Sequence, residues 1–237
     1  MPPLPTSSFS AFFQKNIGTI SHRQQQILQK STVSVIGCGG LGGYVCEGLA
    51  RFGVGMLRIC DPDFFEPSNC NRQLHARQSS IGHAKAEIVK QKIAAIHPYT
   101  IVKSYKSTFQ ETGHMLFRQT DVVVDCLDSR ADRLQLADLC MQFQRALVHG
   151  AVEGWYGQAG VQMVNSNLLQ QLYSIPEKKK QSPSVLSCTV SLVASIQVAE
   201  TVKLLLKMDS PLHNTWMSID LQRLTFDLIN DFVSDSG

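Results

Sequence analysis

Apolar residues in the first part of the chain alternate between short continuous runs and a helical spacing. A β-branched run at residues 33–36 is followed by apolar residues that recur every three or four positions, at Leu41, Val45, Leu49 and Phe52. A second short run, residues 56–60, is apolar except for Arg58 and ends at Asp61. Continuous runs are typical of buried strands, whereas the wider spacing is typical of a helix with one apolar face. This order predicts a βαβ unit, in which a right-handed crossover joins two parallel strands.

The same alternation continues through the middle of the chain. We expect helices at residues 81–96 and 131–143. We expect strands that begin at Ile101 and that cover residues 122–126 and 146–149, the last of them ended by Gly150. Strands that alternate with helices in this way predict a doubly wound α/β sheet.

The pattern changes after Gly150. Residues 157–164 are predicted to form a strand, residues 174–184 a polar loop that contains Lys178 to Lys180, and residues 185–206 a long helix. Two further runs, 216–220 and 224–229, are predicted to form a hairpin that finishes the sheet. The fold class is therefore predicted as α/β, a Rossmann-like doubly wound mixed sheet with a parallel N-terminal half and an antiparallel C-terminal half. We expect an N-terminal arm, 1–30, and a single domain, 31–237, divided into halves at 31–150 and 151–237.

The bulk composition excludes several classes of protein. The 237 residues carry a formal net charge of +3, which is too weak to indicate nucleic acid or an acidic membrane surface as a partner. The long apolar run contains Gln197, Glu200 and Lys203, and these would be costly in lipid, so we interpret it as a largely buried helix of a soluble fold. The start of the chain lacks the basic and apolar regions of a signal peptide, and we expect a cytoplasmic protein.

The cysteines give no sign of a zinc site or a disulfide framework. No two of the seven form a C-x-x-C pair, so no structural zinc is expected. A reducing compartment is consistent with this usage. Several lie within apolar patterns, where cysteine behaves as a small buried hydrophobe, and we interpret Cys188 in the same way.

A glycine turn follows the first predicted strand. The segment Gly37-Cys38-Gly39-Gly40-Leu41-Gly42 lets backbone amides approach a phosphate, and the helix that starts near Gly40 presents its positive end to an anion. Asp61 ends the next strand where an acid would hold the ribose hydroxyls of a nucleotide. These features alone fit a nicotinamide-dependent dehydrogenase as well as an enzyme that uses ATP.

Residues further along the chain favour ATP. In Ser68-Asn69-Cys70-Asn71-Arg72-Gln73, the guanidinium of Arg72 can fork onto phosphate oxygens, and Asn69 and Gln73 can fix ribose or pyrophosphate. Lys85 can neutralise charge during attack on a phosphate. Asp128 follows the strand at 122–126, where an acid suits magnesium that bridges phosphates. The alternatives without a catalytic role are that Arg72 and Lys85 form a solvated surface pair, and that Asp128 is a helix N-cap.

Taken together, these motifs resemble those of the ThiF/MoeB/HesA family, which is related to ubiquitin-activating enzymes. The resemblance runs from about Phe9 to Ile229 and rests on a linked set of strings: G-C-G-G-L-G, D-P-D, S-N-C-N-R-Q, the lysine of G-H-A-K-A-E, and D-C-L-D. Later features also fit, namely His149-Gly150-Ala151, residues 154–158, and Gln197, Glu200 and Lys203 on the long helix.

The resemblance implies an ATP-dependent adenylyltransferase that activates the C-terminal carboxylate of a small sulfur-carrier or ubiquitin-like protein ending in Gly-Gly. Arg72, Lys85 and Asp128 would be catalytic, with magnesium held by Asp128. The carrier tail would lie near residues 151–158, under the loop at 174–184, which makes 31–150 the nucleotide-binding half and 151–237 the carrier-binding half. The residues expected to bind the nucleotide are Gly37, Gly39, Gly40, Gly42, Asp61, Asp63, Ser68, Asn69, Arg72, Gln73, Lys85, Asp128, Ser129 and Lys15.

The sequence also departs from the family pattern. Lys15 stands where the family usually has an arginine that reaches the partner subunit's ATP, and lysine lacks the bidentate fork of arginine. The zinc-binding C-x-x-C pairs and the loop cysteine of some members have no match, since residues 178–184 contain no cysteine. We expect a homodimer, from the resemblance and from the apolar run at 185–206.

Two alternative functions stay open at this point, and two others are disfavoured. One is a tRNA-modifying dehydratase of the same superfamily, suggested by the stretch N-R-Q-L-H-A but weakened by the modest charge. Another is an enzyme that adenylates a peptide C-terminus. A dehydrogenase or a non-catalytic partner subunit would leave Arg72, Lys85 and Asp128 without a role.

Overall fold

A computed structural model describes residues 11–174 and 184–229 of the chain. The helices within these residues are α1 (His22–Lys30), α2 (Gly40–Arg51), α3 (Lys85–Ile96), α4 (Phe109–Thr112), α5 (His114–Phe117), α6 (Arg130–Gln142), α7 (Leu168–Leu172) and α8 (Ser187–Leu205). The strands are β1 (Thr32–Ile36), β2 (Met56–Cys60), β3 (Ile101–Tyr105), β4 (Val122–Asp125), β5 (Ala146–Glu153), β6 (Tyr156–Gln162), β7 (Trp216–Asp220) and β8 (Thr225–Ile229).

The strands form one eight-stranded sheet in the order β3-β2-β1-β4-β5-β6-β7-β8. Strands β1 to β5 pair in parallel, and β5 to β8 pair antiparallel. The order reverses direction at β1 and β4, which is the point where ligands bind in doubly wound sheets. The predicted fold class is therefore confirmed.

The larger hydrophobic cluster lies between the sheet and the helices α2 and α8, and a second cluster packs α4 to α7 against strands of the same sheet. Gly48 of α2 allows this close packing, because a Cβ atom there would lie 2.7 Å from a methyl group of Val198. Gly157 of β6 does the same against Val193, at 2.5 Å. Helix α8 is long and apolar enough to cross a membrane by length and composition alone, but 56% of its apolar stretch is buried inside the protein. Close packing against α2 and the sheet accounts for its apolar composition.

Two predicted boundaries were wrong. The helix expected at residues 81–96 begins only at Lys85, because residues 81–84 bond to the loop after β2 instead; Gly82 N–H donates to Phe65 O at 2.8 Å. Strand β5 does not end at Gly150 but continues to Glu153. Gly150 fits within the strand because Gln197 of α8 packs against it, and a Cβ atom at Gly150 would lie 2.6 Å from the Gln197 side chain.

Some elements had no counterpart in the sequence prediction. Helix α1 lies within the predicted arm, starts with a capping box at Ser21 and Gln24, and buries Leu28 completely. Helices α4, α5 and α7 have only four or five residues each, too short to show a periodic pattern. The predicted loop at 174–184, with Lys178 to Lys180, lies outside the described residues except at its two ends. The division of the chain at residues 30 and 150 stays a prediction.

Candidate functional site

The glycine turn after β1 is held by two of its own glycines. Gly37 has a φ of +96°, and a Cβ atom there would lie 2.6 Å from Cys126 O. A Cβ atom on Gly42 would lie 1.9 Å from Gly37 O. No side chain fits at either position, so Gly37 and Gly42 are required by the packing of the turn itself.

The other two glycines leave room for a Cβ atom. A Cβ atom on Gly39 or Gly40 would approach no closer than 3.5 Å to the side chain of Gln73 or Val190, respectively, which is ordinary contact. Gly39 caps α2 without a side-chain hydrogen bond. Among the described residues, no acceptor is found for the backbone N–H groups of residues 39–42. These free donors at the positive end of α2 form a cradle suited to phosphate.

Asp61 braces this cradle from the end of β2. Its Oδ2 accepts from Cys38 N at 2.7 Å, and its Oδ1 accepts from Asp63 N at 2.8 Å. The carboxylate is buried, and this burial raises its pKa, although the two N–H donors and nearby Lys85 act in the opposite direction. Carboxylate oxygens can accept further hydrogen bonds, so Asp61 can still receive a ribose hydroxyl.

Lys85 is the first residue of α3 and is largely buried. Its Nζ lies 2.9 Å from Asp63 Oδ2, while the side chain of Asp63 is 64% exposed. The alternative of a solvated pair between Arg72 and Lys85 therefore does not hold, because Lys85 pairs with Asp63 instead. This pairing keeps an ammonium group beside the carboxyl end of β2.

The segment at residues 68–73 folds over the glycine turn. Gln73 is buried beside Gly39, and its Oε1 has no hydrogen-bond partner among the residues that the structure describes. Asn69 is buried as well, and its Oδ1 accepts from Glu66 N at 3.0 Å. An unpartnered buried amide oxygen beside the phosphate cradle fits a site that is completed by a bound nucleotide.

Arg72 is half-buried and only partly engaged. Its Nη1 donates to Ser68 O at 2.8 Å and to Asn71 Oδ1 at 2.9 Å. Asn71 in turn donates to Val185 O at 3.1 Å, which ties this segment to the start of α8. Within the described residues, Nε and Nη2 of Arg72 have no recorded acceptor, so they can bind phosphate oxygens.

Asp128 lies in the loop between β4 and α6, where it is exposed. The predicted alternative, an N-cap at Asp128, was wrong, because Ser129 caps α6 and its hydroxyl accepts from Asp132 N at 3.3 Å. The described residues contain no cluster of three or more His, Cys, Asp or Glu side chains that could hold a metal ion. A single carboxylate still fits magnesium, which commonly takes one or two protein carboxylates and completes its shell with phosphates and water.

Lys15 does not lie at this edge of the sheet in its own chain. It is exposed in a short 3-10 helix, Gln14–Asn16, whose neighbour Phe13 packs edge-on against His97. Phe13 also lies beside Gly53, just before β2. This is the amino end of the parallel strands, opposite the glycine turn. Any contact of Lys15 with a nucleotide would therefore have to be made across a subunit interface.

All seven cysteines fall in the described residues, and all are free. Burial raises the pKa of Cys38, Cys46, Cys126 and Cys140, and it raises the pKa of Cys60 to about 12. Cys70 and Cys188 are exposed. The interpretation of Cys188 as a buried packing residue was wrong, because α8 turns the neighbouring Thr189 and Val190 inward and leaves Cys188 on the outer side.

The prediction missed a buried polar network next to this edge. Asp125 ends β4 and His149 is its register partner on β5, and the two side chains bond at 2.7 Å from Oδ2 to Nδ1. Tyr173 and Gln158 bond to the other ring nitrogen of His149, and Arg133 bonds to the Tyr173 hydroxyl. The sequence feature that could have indicated this network was a polar residue near the end of each of two neighbouring apolar strands, Asp125 in β4 and His149 in β5.

Comparison with known proteins gives a consistent family. The model of the ThiF family matches residues 13–234. The chain is 32% identical over 188 residues to the adenylyltransferase and sulfurtransferase MOCS3 of Dictyostelium discoideum, covering 76% of this chain and 44% of that protein. It is 30% identical over 208 residues to the SAMP-activating enzyme E1 of Haloferax volcanii, covering 85% and 77%. It is 35% identical over 132 residues to the tRNA threonylcarbamoyladenosine dehydratase of Bacillus subtilis (strain 168), covering 55% and 52%.

Solved structures share the fold. E. coli MccB superposes with a TM-score of 0.81 at 17% identity, covering 95% of this chain and 71% of that chain. PaaA superposes with a TM-score of 0.78 at 18% identity, covering 97% and 75%. The chain spans about half the length of the first curated relatives that it matches. The family match extends over most of the sequence, and the chain therefore belongs to the ThiF family.

Proposed function

We propose that this protein is an ATP-dependent adenylyltransferase that activates the C-terminal carboxylate of a small sulfur-carrier or ubiquitin-like protein as an acyl-adenylate. The observation that carries the proposal is the phosphate cradle of residues 39–42, whose free N–H groups share one sheet edge with Arg72, Lys85 and Asp128. A dehydrogenase needs a cradle for pyrophosphate but has no use for two further cations and an exposed acid around it.

We propose a definite orientation for ATP at this edge of the sheet. The cradle and Arg72 would hold the phosphates, and Asp61 and Asn69 would hold the ribose. The amide oxygen of Gln73, which has no partner among the described residues, would bind the polar groups of the nucleotide nearest Gly39. Ser68 and Ser129 would border the same space, and Asp63 would share Lys85 with the phosphates. Asp128 would hold magnesium, which supplies charge neutralisation at the phosphate oxygens when it is bound.

The reaction requires electrostatic help more than proton transfer. A C-terminal carboxylate is already ionised at neutral pH, so no general base is needed to make it a nucleophile. One carboxylate oxygen forms a bond to the α-phosphorus of ATP, the bond to the bridging oxygen breaks, and pyrophosphate leaves with the electron pair. Negative charge develops on the phosphate oxygens, and Arg72 and Lys85 are the side chains that would stabilise it.

The names of the relatives support this class of substrate. MOCS3 is named as an adenylyltransferase and sulfurtransferase, and the Haloferax protein as a SAMP-activating enzyme. The carrier tail would lie along the hairpin of β5 and β6, whose Gly154 bridges to Val185 beside the Arg72 segment. Thiamine, molybdopterin or a related thio-cofactor would be the end product of such a pathway.

Assembly as a homodimer is also part of the proposal. Lys15 lies at the opposite edge from its own chain's cradle, so its predicted role depends on a second copy. A dimer that brought Lys15 to the partner's nucleotide would give it that role as a point charge.

A tRNA-modifying dehydratase is the second candidate function. It is favoured by the 35% identity to the Bacillus subtilis dehydratase, the highest identity among the three relatives described above, although that match covers only 55% of this chain. Activation of a carboxylate on a nucleoside would use the same cradle, and only the acceptor would differ. A peptide C-terminus is a further variant of the leading proposal.

The test is to identify the molecule that receives AMP. The purified protein is incubated with ATP, magnesium and each candidate acceptor, and intact-mass analysis follows the acceptor. We expect the mass of one AMP group on a carrier that ends in Gly-Gly and no change on the same carrier without its last glycine. AMP transfer to a carboxylated tRNA nucleoside alone would favour the dehydratase instead. Reduction of a nicotinamide nucleotide without any AMP transfer would contradict both candidate functions.

A further inference from the structure

The buried network next to the cradle has a defined direction of hydrogen bonding. The carboxylate of Asp125 can only accept, so His149 donates through Nδ1–H at 2.7 Å, and its Nε2 is left as an acceptor. The Tyr173 hydroxyl lies 3.1 Å from that Nε2 and donates to it. The oxygen of Tyr173 in turn accepts from Arg133 Nη1 at 3.0 Å and from Gln158 Nε2 at 2.9 Å. Each of these hydrogen bonds joins a donor to an acceptor when His149 is neutral, while Nε of Arg133 has no hydrogen-bond partner among the described residues.

Burial supports this neutral state. His149 and Asp125 are almost completely shielded from solvent. Desolvation lowers the pKa of His149 and outweighs the opposite influence of Asp125, and the positive charge of Arg133 lowers it further. The direction of this pKa shift agrees with the hydrogen-bond directions, in which His149 is neutral.

The network forms hydrogen bonds with Leu127, the residue that precedes Asp128. Leu127 N donates to Asp125 Oδ1 at 3.0 Å, and Leu127 O accepts from Arg133 Nη2 at 2.7 Å. Both backbone groups of Leu127 are thus bonded to members of the network. Arg133 is held in place at its other end by the Tyr173 hydroxyl, which is tied to β5 through His149 and to β6 through Gln158.

We infer that Tyr173 and His149 are positioning residues, which act through Arg133 to fix the Leu127–Asp128 loop against the strands β5 and β6. This inference rests on the adenylation proposed above. Neither side chain needs to touch the substrates. The network would hold the Asp128 carboxylate in register with the phosphate cradle, and it would join the half of the fold that binds the nucleotide to the strands that would carry the acceptor.

The direct test removes one oxygen atom. Tyr173→Phe keeps the ring and deletes the hydroxyl that links Arg133 to His149. Amide hydrogen exchange of a peptide covering residues 126–129 is followed by mass spectrometry without nucleotide, and ATP–pyrophosphate exchange gives kcat and KM. We expect exchange of that peptide to become about 10-fold faster and kcat to fall on the order of 10-fold, with KM for ATP within about 2-fold, since small misplacements of a reacting group are costly in rate.

A matched control lies at the other end of the same strand. Thr120 is buried just before β4, and its hydroxyl bonds to Ser34 Oγ at 2.9 Å and to Leu116 O at 2.9 Å. Thr120→Val also deletes a buried hydroxyl but leaves the Leu127 contacts in place. It should lower thermal stability without changing peptide 126–129 exchange or kcat. His149→Asn, which keeps an N–H for Asp125 but loses the acceptor for Tyr173, should reproduce the effect of Tyr173→Phe.

The outcomes separate this inference from the proposed function. Wild-type protection of residues 126–129 in both Tyr173→Phe and His149→Asn would overturn it, as would a fall in kcat with no change in that protection. If the wild-type protein incorporated no pyrophosphate into ATP in the presence of any carrier, the adenylation proposal would fail. The hydrogen-exchange measurement would still decide whether the network holds the loop.

Discussion

Lys85 Nζ lies 2.9 Å from Asp63 Oδ2, and this ion pair joins the first residue of α3 to the loop after β2. Lys85 N also donates to Asp63 O at 3.0 Å, so the two residues are linked through both backbone and side chain. The ammonium group is nearly buried while its partner is mostly exposed. Asp63 therefore holds Lys85 beside the carboxyl end of β2, where the phosphates are proposed to bind.

Removal of the lysine charge should be far more damaging than removal of its partner. Lys85→Ala should lower the rate of adenylation on the order of 10²-fold, because a group that stabilises developing charge is lost. Asp63→Asn should cost about 10-fold or less, since the ammonium group remains and only its restraint is weakened. Steady-state kinetics of both variants checks this. Equal losses would mean that the ion pair, and not the cation, is what the reaction needs.

Two neighbouring glycines should respond in opposite ways to the same substitution. Gly42→Ala places a methyl group against Gly37 O, so it should destabilise the fold. Gly40→Ala meets only ordinary contact with Val190 and should fold with wild-type stability, but its methyl group would enter the phosphate cradle and weaken ATP binding about 10-fold or more. Thermal unfolding together with calorimetric titration of ATP distinguishes the two. Unchanged ATP affinity in Gly40→Ala would remove residues 39–42 from the site.

The sequence was sufficient for β1, β2 and β4 because each is a short, largely apolar run that ends at or just before a glycine or an acid, whereas only the start of β3 could be predicted, since that strand contains Lys103 and Ser104. It was insufficient where tertiary contact overrode the local signal. Gly150 was predicted to end a strand, but β5 passes through it because Gln197 occupies the space that a side chain would fill. The network of Asp125 and His149 was missed for a related reason: only the register between β4 and β5 brings these residues together.

Stability should depend on pH through His149. Its pKa is lowered in the folded protein, whereas in the unfolded chain it is about 6.5, so the unfolded state binds more protons below that pH. The free energy of unfolding should therefore fall as the pH drops through about 6.5 toward the folded pKa. His149→Asn should reduce the slope by at most about 1.4 kcal/mol per pH unit. Part of the slope should remain, because burial also lowers the pKa of His75.

Urea denaturation between about pH 5.5 and 7.5 measures this slope. A wild-type slope that His149→Asn leaves unchanged would show that His149 does not carry the titration. The same series performed on the Thr120→Val variant provides the control, since no titratable group is altered there.

The cysteines should remain free of zinc and of covalent carrier. The protein should purify without stoichiometric zinc, because no C-x-x-C pair is present. It should also keep its activity after treatment with a chelator, once the chelator has been removed and magnesium has been added. A maleimide should label Cys70 and Cys188 first, as the two exposed thiols. The acyl-adenylate should then pass to a separate sulfur donor or acceptor.

A non-reducing gel after incubation with ATP and carrier tests the absence of a covalent link. A reducible or hydroxylamine-labile band at the summed mass, which disappears in Cys188→Ser, would show that a thiol of α8 captures the activated carrier. Cys70→Ser is the matched control for the other exposed thiol.

The central claim is that this edge of the sheet activates a carboxylate with ATP, and isotope exchange between pyrophosphate and ATP tests it most directly. Formation of an acyl-adenylate is reversible, so labelled pyrophosphate should enter ATP only when a carrier that ends in Gly-Gly is present. Asp128→Ala should abolish this exchange while the circular dichroism spectrum and thermal transition stay those of the wild type, because Asp128 is exposed and is not the cap of α6. Carrier-dependent exchange that persists at the wild-type rate in Asp128→Ala, Arg72→Ala and Lys85→Ala would contradict the account.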